Sequence, residues 1–296
     1  MAPQAEKRSP LTCFSPGLLQ APAPDMTRLE PAFCGLLPHP PIVVPEVGGD
    51  RLAECRTTFE ACTKLAARLV ASRPDRLVLV SPHSPRAHDA FGLWDGPDLA
   101  GDLAAFGAPN ASVRVPADGA ARSAVEGACA EADVATWPIP PQPLDHGAVV
   151  PLWFVCEAGW HGPTCVTSLP WRSQPARMVA FGEALARALS DLPGRTALVA
   201  SGDMTHRATP DAPAGYHPRA VEFDRTLTDL VAAGLLAEIP RIDPALRDVA
   251  AEDAADSVTI VAAAIGFEGH GVEVLGYEHP FGVGYLVAVL HDGGSP

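Results

Sequence analysis

The chain has no cysteine beyond Cys165 and no CxxC pair anywhere. Its seven cysteines (Cys13, Cys34, Cys55, Cys62, Cys129, Cys156 and Cys165) are odd in number and lack zinc-ribbon spacing. This argues against a disulfide framework and against a structural zinc scaffold. Several fall at apolar positions of helical patterns, so they read as reduced, buried thiols of a cytoplasmic protein. Positive charge is short as well: 21 Lys and Arg stand against 35 Asp and Glu, a formal net charge of −14. That balance argues against nucleic acid and against an anionic membrane surface as partners. No apolar run reaches the length of a membrane span. The first 25 residues lack the continuous apolar core of a signal peptide. No GxGxxG follows the first strand, and there is no Walker loop, GxSxG elbow or HExxH. A small organic substrate is the partner class left standing.

What is present is enough apolar residue, 47% of 296 positions, to build a sizeable core. The 32 prolines cluster at strand exits and near the N-terminus, which predicts rigid loops. Residues 1–30 carry no periodicity and read as an extension, with Met26 as an alternative start. Phe33–Leu37, Arg76–Val80, Val113–Val115, Val166–Leu169 and Thr196–Ser201 read as strands. Leu52, Cys55, Phe59, Cys62, Ala66 and Leu69 recur at three and four, which predicts a helix from an Asp50 cap to about Ser72. Further helices are expected near Ala120–Ala132, Pro175–Leu192, Ala220–Ala233 and Ala250–Ile265, with a β pair at Val272–Tyr277 and Gly284–Leu290. Pro82 to Pro109 reads as a long loop whose Phe91, Leu93, Trp94, Leu103 and Phe106 could wall a pocket. The fold expected is one α/β domain over residues 31–292: a central, mostly parallel mixed sheet with helices on both faces.

Three histidines lie just past strand ends. His39 follows Phe33–Leu37 and is flanked by prolines on both sides. His83 follows Leu77–Val80 in Ser81-Pro-His-Ser84. His206 ends Ser201-Gly-Asp-Met-Thr-His206. In an open α/β sheet, that edge is where ligands bind. His39 and His83 are candidate metal ligands, because two neutral imidazoles and one carboxylate hold a divalent ion and leave positions open. His206 is the candidate acid/base, oriented by Asp203 or merely near a turn that Asp203 caps. His146, where a helix begins, could hydrogen-bond substrate. Glu252 and Asp253 are candidates for the carboxylate, with Asp248 and Asp256 as competitors. His279 is a weaker neighbour of the same edge. His88, His161, His217, His270 and His291 sit in polar surroundings and read as surface residues.

Leu37-Pro-His-Pro-Pro-Ile-Val-Val-Pro-Glu-Val-Gly48, Ser81-Pro-His-Ser84, Leu144-Asp-His-Gly-Ala-Val-Val-Pro-Leu152, Ser201-Gly-Asp-Met-Thr-His206 and His279-Pro-Phe-Gly-Val-Gly-Tyr285 together resemble the class III extradiol ring-cleaving dioxygenases. The likeness is to their LigB-like catalytic subunit, in the branch related to AMMECR1-associated and Memo proteins. It runs from about residue 33 to 290, with the motifs in family order. The resemblance implies a non-haem Fe(II) site, with zinc an alternative in the purified protein. It implies His39, His83 and Glu252 as ligands, with Asp253 one residue away, and His206 and His146 as catalytic residues. The implied reaction opens a catechol-type aromatic diol beside its hydroxyls, using O2. The Memo proteins carry a cysteine in the third-ligand region; the lack of any cysteine after Cys165 favours a carboxylate here. A Memo-like metal-binding role without dioxygenase activity, and a zinc-dependent hydrolase on the same residues, are the alternative functions. Assembly into a homo-oligomer is compatible with the sequence.

Overall fold

Strands that read as unbroken apolar runs lie at the centre of the sheet, where both faces are covered. The computed structural model describes residues 28–172 and 174–294. The expected N-terminal extension therefore falls almost wholly outside the described residues. In chain order the strands are β1 (Phe33–Leu37), β2 (Arg76–Ser81), β3 (Phe91–Trp94), β4 (Asp98–Leu103), β5 (Ala108–Pro116), β6 (Thr136–Ile139), β7 (Thr164–Ser168), β8 (Thr196–Ser201), β9 (Glu273–Glu278) and β10 (Tyr285–Asp292). The helices are α1 (Pro45–Gly48), α2 (Arg56–Ala71), α3 (Gly119–Glu131), α4 (His146–Glu157), α5 (Pro175–Ser190), α6 (Ala220–Ala232), α7 (Pro244–Ala250) and α8 (Ala254–Ala264).

Eight strands form one mixed sheet in the order β6-β3-β7-β2-β8-β1-β10-β9, and β4 and β5 make a separate ribbon. The central run β7-β2-β8-β1 is parallel. β10 and β9 close one side antiparallel, and β3 meets β7 antiparallel on the other. Alternation along each strand divides the core in two. Val78 and Val80 of β2 face α3, α5, α6 and α8. Leu77 and Leu79 face α2, α4 and the β4–β5 ribbon. Each fully buried Leu or Val here is worth about 1.5–3 kcal/mol relative to exposure.

Three expectations are corrected. The helix expected from Asp50 starts instead at Arg56, after a 3-10 stretch over Gly49–Cys55. Gly49, at φ 50°, leaves the helical region, yet a three-residue turn keeps Cys55 on the buried stripe. The helix expected over Ala250–Ile265 starts only at Ala254, as α8; Ala250 is the last residue of a separate helix, α7, which ends at Ala251 in the left-handed region. The long loop contains β3, β4 and a short 3-10 turn. Its Phe91 stacks on Phe181 at 3.9 Å in the core, and Leu93, Trp94 and Leu103 are buried too. Only Phe106 of that set is exposed. Among the described residues, no helix is long and apolar enough to cross a membrane.

Candidate metal centre

β2, β8 and β1 are neighbours and run parallel, so their C-terminal ends open onto one space. β1 leads to His39, β2 to His83 and β8 to Asp203; α4 begins at His146 beside them. The three rings meet there. Centroids of His39 and His83 are 4.7 Å apart, His83 and His146 4.3 Å, His39 and His146 5.5 Å. One nitrogen from each lies within 4.8 Å of the others, a set that could hold a metal ion.

The backbone holds these rings through short side chains. The Ser81 and Ser84 hydroxyls donate to Asp145 at 3.0 and 2.6 Å. Asp145 also accepts the Ala148 N–H at 3.1 Å as the cap of α4. One carboxylate thus ties the His83 turn to the helix that starts with His146. His39 is held differently. Its backbone N–H donates to Asp203 Oδ1 at 2.9 Å. Its Nδ1 lies 2.9 Å from Ser201 Oγ, and that hydroxyl donates to the Gly147 carbonyl at 2.6 Å. A serine hydroxyl has one proton, already committed to Gly147, so it accepts from His39 Nδ1–H. In the neutral ring this leaves the Nε2 lone pair facing the other imidazoles.

His39 Nε2 is buried and has no hydrogen-bond partner. Asp253 Oδ2 stands 3.6 Å from it and 3.1 Å from His83 Nε2. Asp203 Oδ2 is 3.8 Å from His39 Nε2. Burial pulls the His39 pKa down, but Asp203 and Asp253 outweigh it and raise it to about 9. For Asp253, burial opposes the charge, and His39 and His83 hold the carboxyl well below the usual carboxylate range. His146 goes the other way: burial, then His83 and His39, push it down to about 4. The carboxylates favour positive charge among the rings, and crowding disfavours a proton on every ring. A single divalent cation meets both conditions. The orphaned Nε2, the clustered nitrogens and the adjacent carboxylate fit such an ion, with donors suited to Fe(II) or Zn(II).

Glu252 does not join this group. Its side chain is buried and pairs with Arg247, and its Oε2 accepts the Ala255 N–H at 2.8 Å at the start of α8. Arg247 also reaches Asp256 at 2.8 Å. The carboxylate beside the rings is Asp253, whose Oδ1 accepts the Asp203 N–H at 2.7 Å. The left-handed turn at Ala251 (φ 53°) ends α7 and separates the two carboxylates. His206 lies outside the three-ring group. Its Nδ1 donates to the Met204 carbonyl at 3.1 Å, which leaves Nε2 as acceptor in the neutral ring. Its backbone N–H is tied to the Ala250 carbonyl at 2.9 Å. Asp203 bonds the His39 backbone rather than His206. His279 is exposed beside Tyr277. Phe106 packs edge-on to His146 at 5.4 Å.

Sequence reasoning missed Asp145, Ser81, Ser84 and Ser201 as the residues that aim the rings. The only signal was their repeated place beside each histidine motif.

Comparison with known proteins settles the family. The sequence model described as the catalytic LigB subunit of aromatic ring-opening dioxygenase matches residues 33–288. The chain belongs to the LigB family. It is 28% identical to protein CA_C1420 of Clostridium acetobutylicum over 265 residues, 86% of this chain and 56% of that protein. This LigB-family chain thus spans about half the length of that relative. Its fold is similar to the crystal structure of uncharacterized protein JW3007 from Escherichia coli K12. The TM-score is 0.60 at 17% identity, covering 87% of this chain and 98% of that one.

Proposed function

We propose that this LigB-family protein is a non-haem Fe(II)-dependent extradiol dioxygenase that opens a catechol-type ring with O2. The observation that carries the reading is the convergence of His39, His83 and Asp253, with His39 Nε2 buried and unpartnered. These three residues hold the ion, with Asp253 in the role expected of Glu252. When bound, Fe(II) supplies open coordination positions for the diol and for dioxygen. The chain's own residues do the rest. His146 borders the open side and hydrogen-bonds the substrate. His206, with Nε2 free to accept, takes a proton from the diol and later returns it. A cavity of about 360 Å³, within the size range of small-molecule pockets, reaches the centre at Asp253 and is otherwise walled by residues such as Arg86, Leu169, Arg247 and Glu252.

The test is anaerobic Fe(II) loading, followed by a panel of catechols under air. A yellow ring-fission product is expected with at least one of them. Full iron occupancy with no product and no oxygen uptake across the panel rejects the dioxygenase and favours metal binding without this chemistry. His206→Ala should keep the iron and lose turnover; near-full activity in that variant removes the role given to His206.

A further inference from the structure

At the opposite edge of the sheet, β10 ends beside the N-terminal end of β1, where Cys34 pairs with His291. The sequence places His291 and His270 on the surface, but His291 is only 8% exposed. Its Nδ1 is buried without a hydrogen-bond partner. His291 forms part of the wall of a cavity of about 370 Å³, together with His270, Glu268, Glu30, Asp292 and Arg28. The His270 ring is 6.2 Å from that of His291, centroid to centroid. Two imidazoles on one tetrahedral ion, with Zn–N bonds near 2.0–2.1 Å, stand about 5 Å apart. His270 is exposed, so a turn of its side chain covers the difference. Glu268 lies two residues before it, and its carboxylate now pairs with Arg28, as does that of Glu30 at 2.8 Å. Asp292 is held by Arg68 at 2.7 Å.

We propose that this edge carries a second divalent-cation site of the zinc type, independent of the centre at the other end of the strands. His291 Nδ1 and His270 are its nitrogen ligands. Glu268 exchanges Arg28 for the ion as third ligand, and water completes the shell. Bound there, the ion joins the end of β10 to the loop between α8 and β9. The inference does not depend on the dioxygenase reading, because none of its residues belongs to the first centre.

The experiment uses the full chain, freed of metal by chelation and titrated with Zn²⁺ alone against a chromophoric competitor. In His39→Ala/His83→Ala protein, which lacks the first centre, one equivalent of Zn²⁺ is expected to remain at micromolar concentration. Adding the exposed change His270→Ala should abolish it, with the circular dichroism spectrum unchanged. In the otherwise native chain the same change should lower the stoichiometry by one equivalent. If the double variant takes up no Zn²⁺, or if uptake survives both His270→Ala and His291→Gln, the second site does not exist.

Discussion

Glu252 and Asp253 share a peptide bond, yet they serve two different regions. Glu252 turns into a pocket already supplied with positive charge, where Arg247 and the Ala255 N–H meet both of its oxygens. Asp253 turns toward the rings, with its Oδ2 3.1 Å from His83 Nε2 and 3.6 Å from His39 Nε2. The first region is electrostatically complete and serves the join between α7 and α8. The second gathers imidazole nitrogens beside a carboxylate, a set that could hold a metal ion. A buried carboxylate is therefore no guide to function until its partners are known.

The largest expected effect separates the two. Asp253→Ala should cut iron affinity by on the order of 100-fold or more, since even changes behind a ligand cost 10–100-fold. Glu252→Ala should leave stoichiometric iron in place and lower stability by about 3 kcal/mol. That is the low end for a broken buried pair, because Asp256 still meets Arg247. Metal titration and urea unfolding of both variants check this, and the reverse pattern would exchange the roles given to these carboxylates. A smaller effect probes how Asp253 is held. A Cβ on Gly202 would sit 2.4 Å from the Cα of Ala254, the residue after Asp253. Gly202→Ala should cost about 1–3 kcal/mol and weaken iron binding together, as read by thermal melting and metal titration. Loss of stability with unchanged metal affinity would show that Asp253 does not depend on this close approach.

Asp224 sharpens the comparison as a third buried carboxylate, one met by neutral donors. Tyr277 Oη donates to it at 2.7 Å and the Thr205 N–H at 2.8 Å. Burial raises its pKa from the usual 3.8 to about 6, against those two hydrogen bonds. The fold therefore favours the protonated form. The stability this contributes is fully present below about pH 4 and is lost as pH rises to about 6. Relative to Asp224→Asn, which does not titrate, the native chain should lose about 2–3 kcal/mol across that window. Denaturant unfolding of both proteins between pH 4 and 7 measures it, and a flat difference would mean that Asp224 stays ionised throughout.

Much of the architecture was legible because its signals are local. Unbroken apolar runs marked β1, β2 and β8, and threefold and fourfold spacing marked α2. Proline-flanked histidines past strand ends pointed to the right edge of the sheet. The misreadings fell where a local pattern admits two outcomes. Ala-rich sequence around Ala251 reads as continuous helix, but the break depends on Glu252 capping α8 and Asp253 reaching Asp203. His291 sits among polar neighbours in sequence, yet pairing with β1 buries it.

The sequence alone determined the class of fold, the family and the edge at which chemistry can occur, because periodicity, strand exits and motif order are properties of short segments. Tertiary structure alone decided which carboxylate faces the rings, which hydroxyl meets His39 Nδ1 and that His146 joins the group. Those outcomes depend on contacts between residues from 54 to 214 positions apart, such as Ser201 with Gly147 and His39 with Asp253. No single segment carries that information.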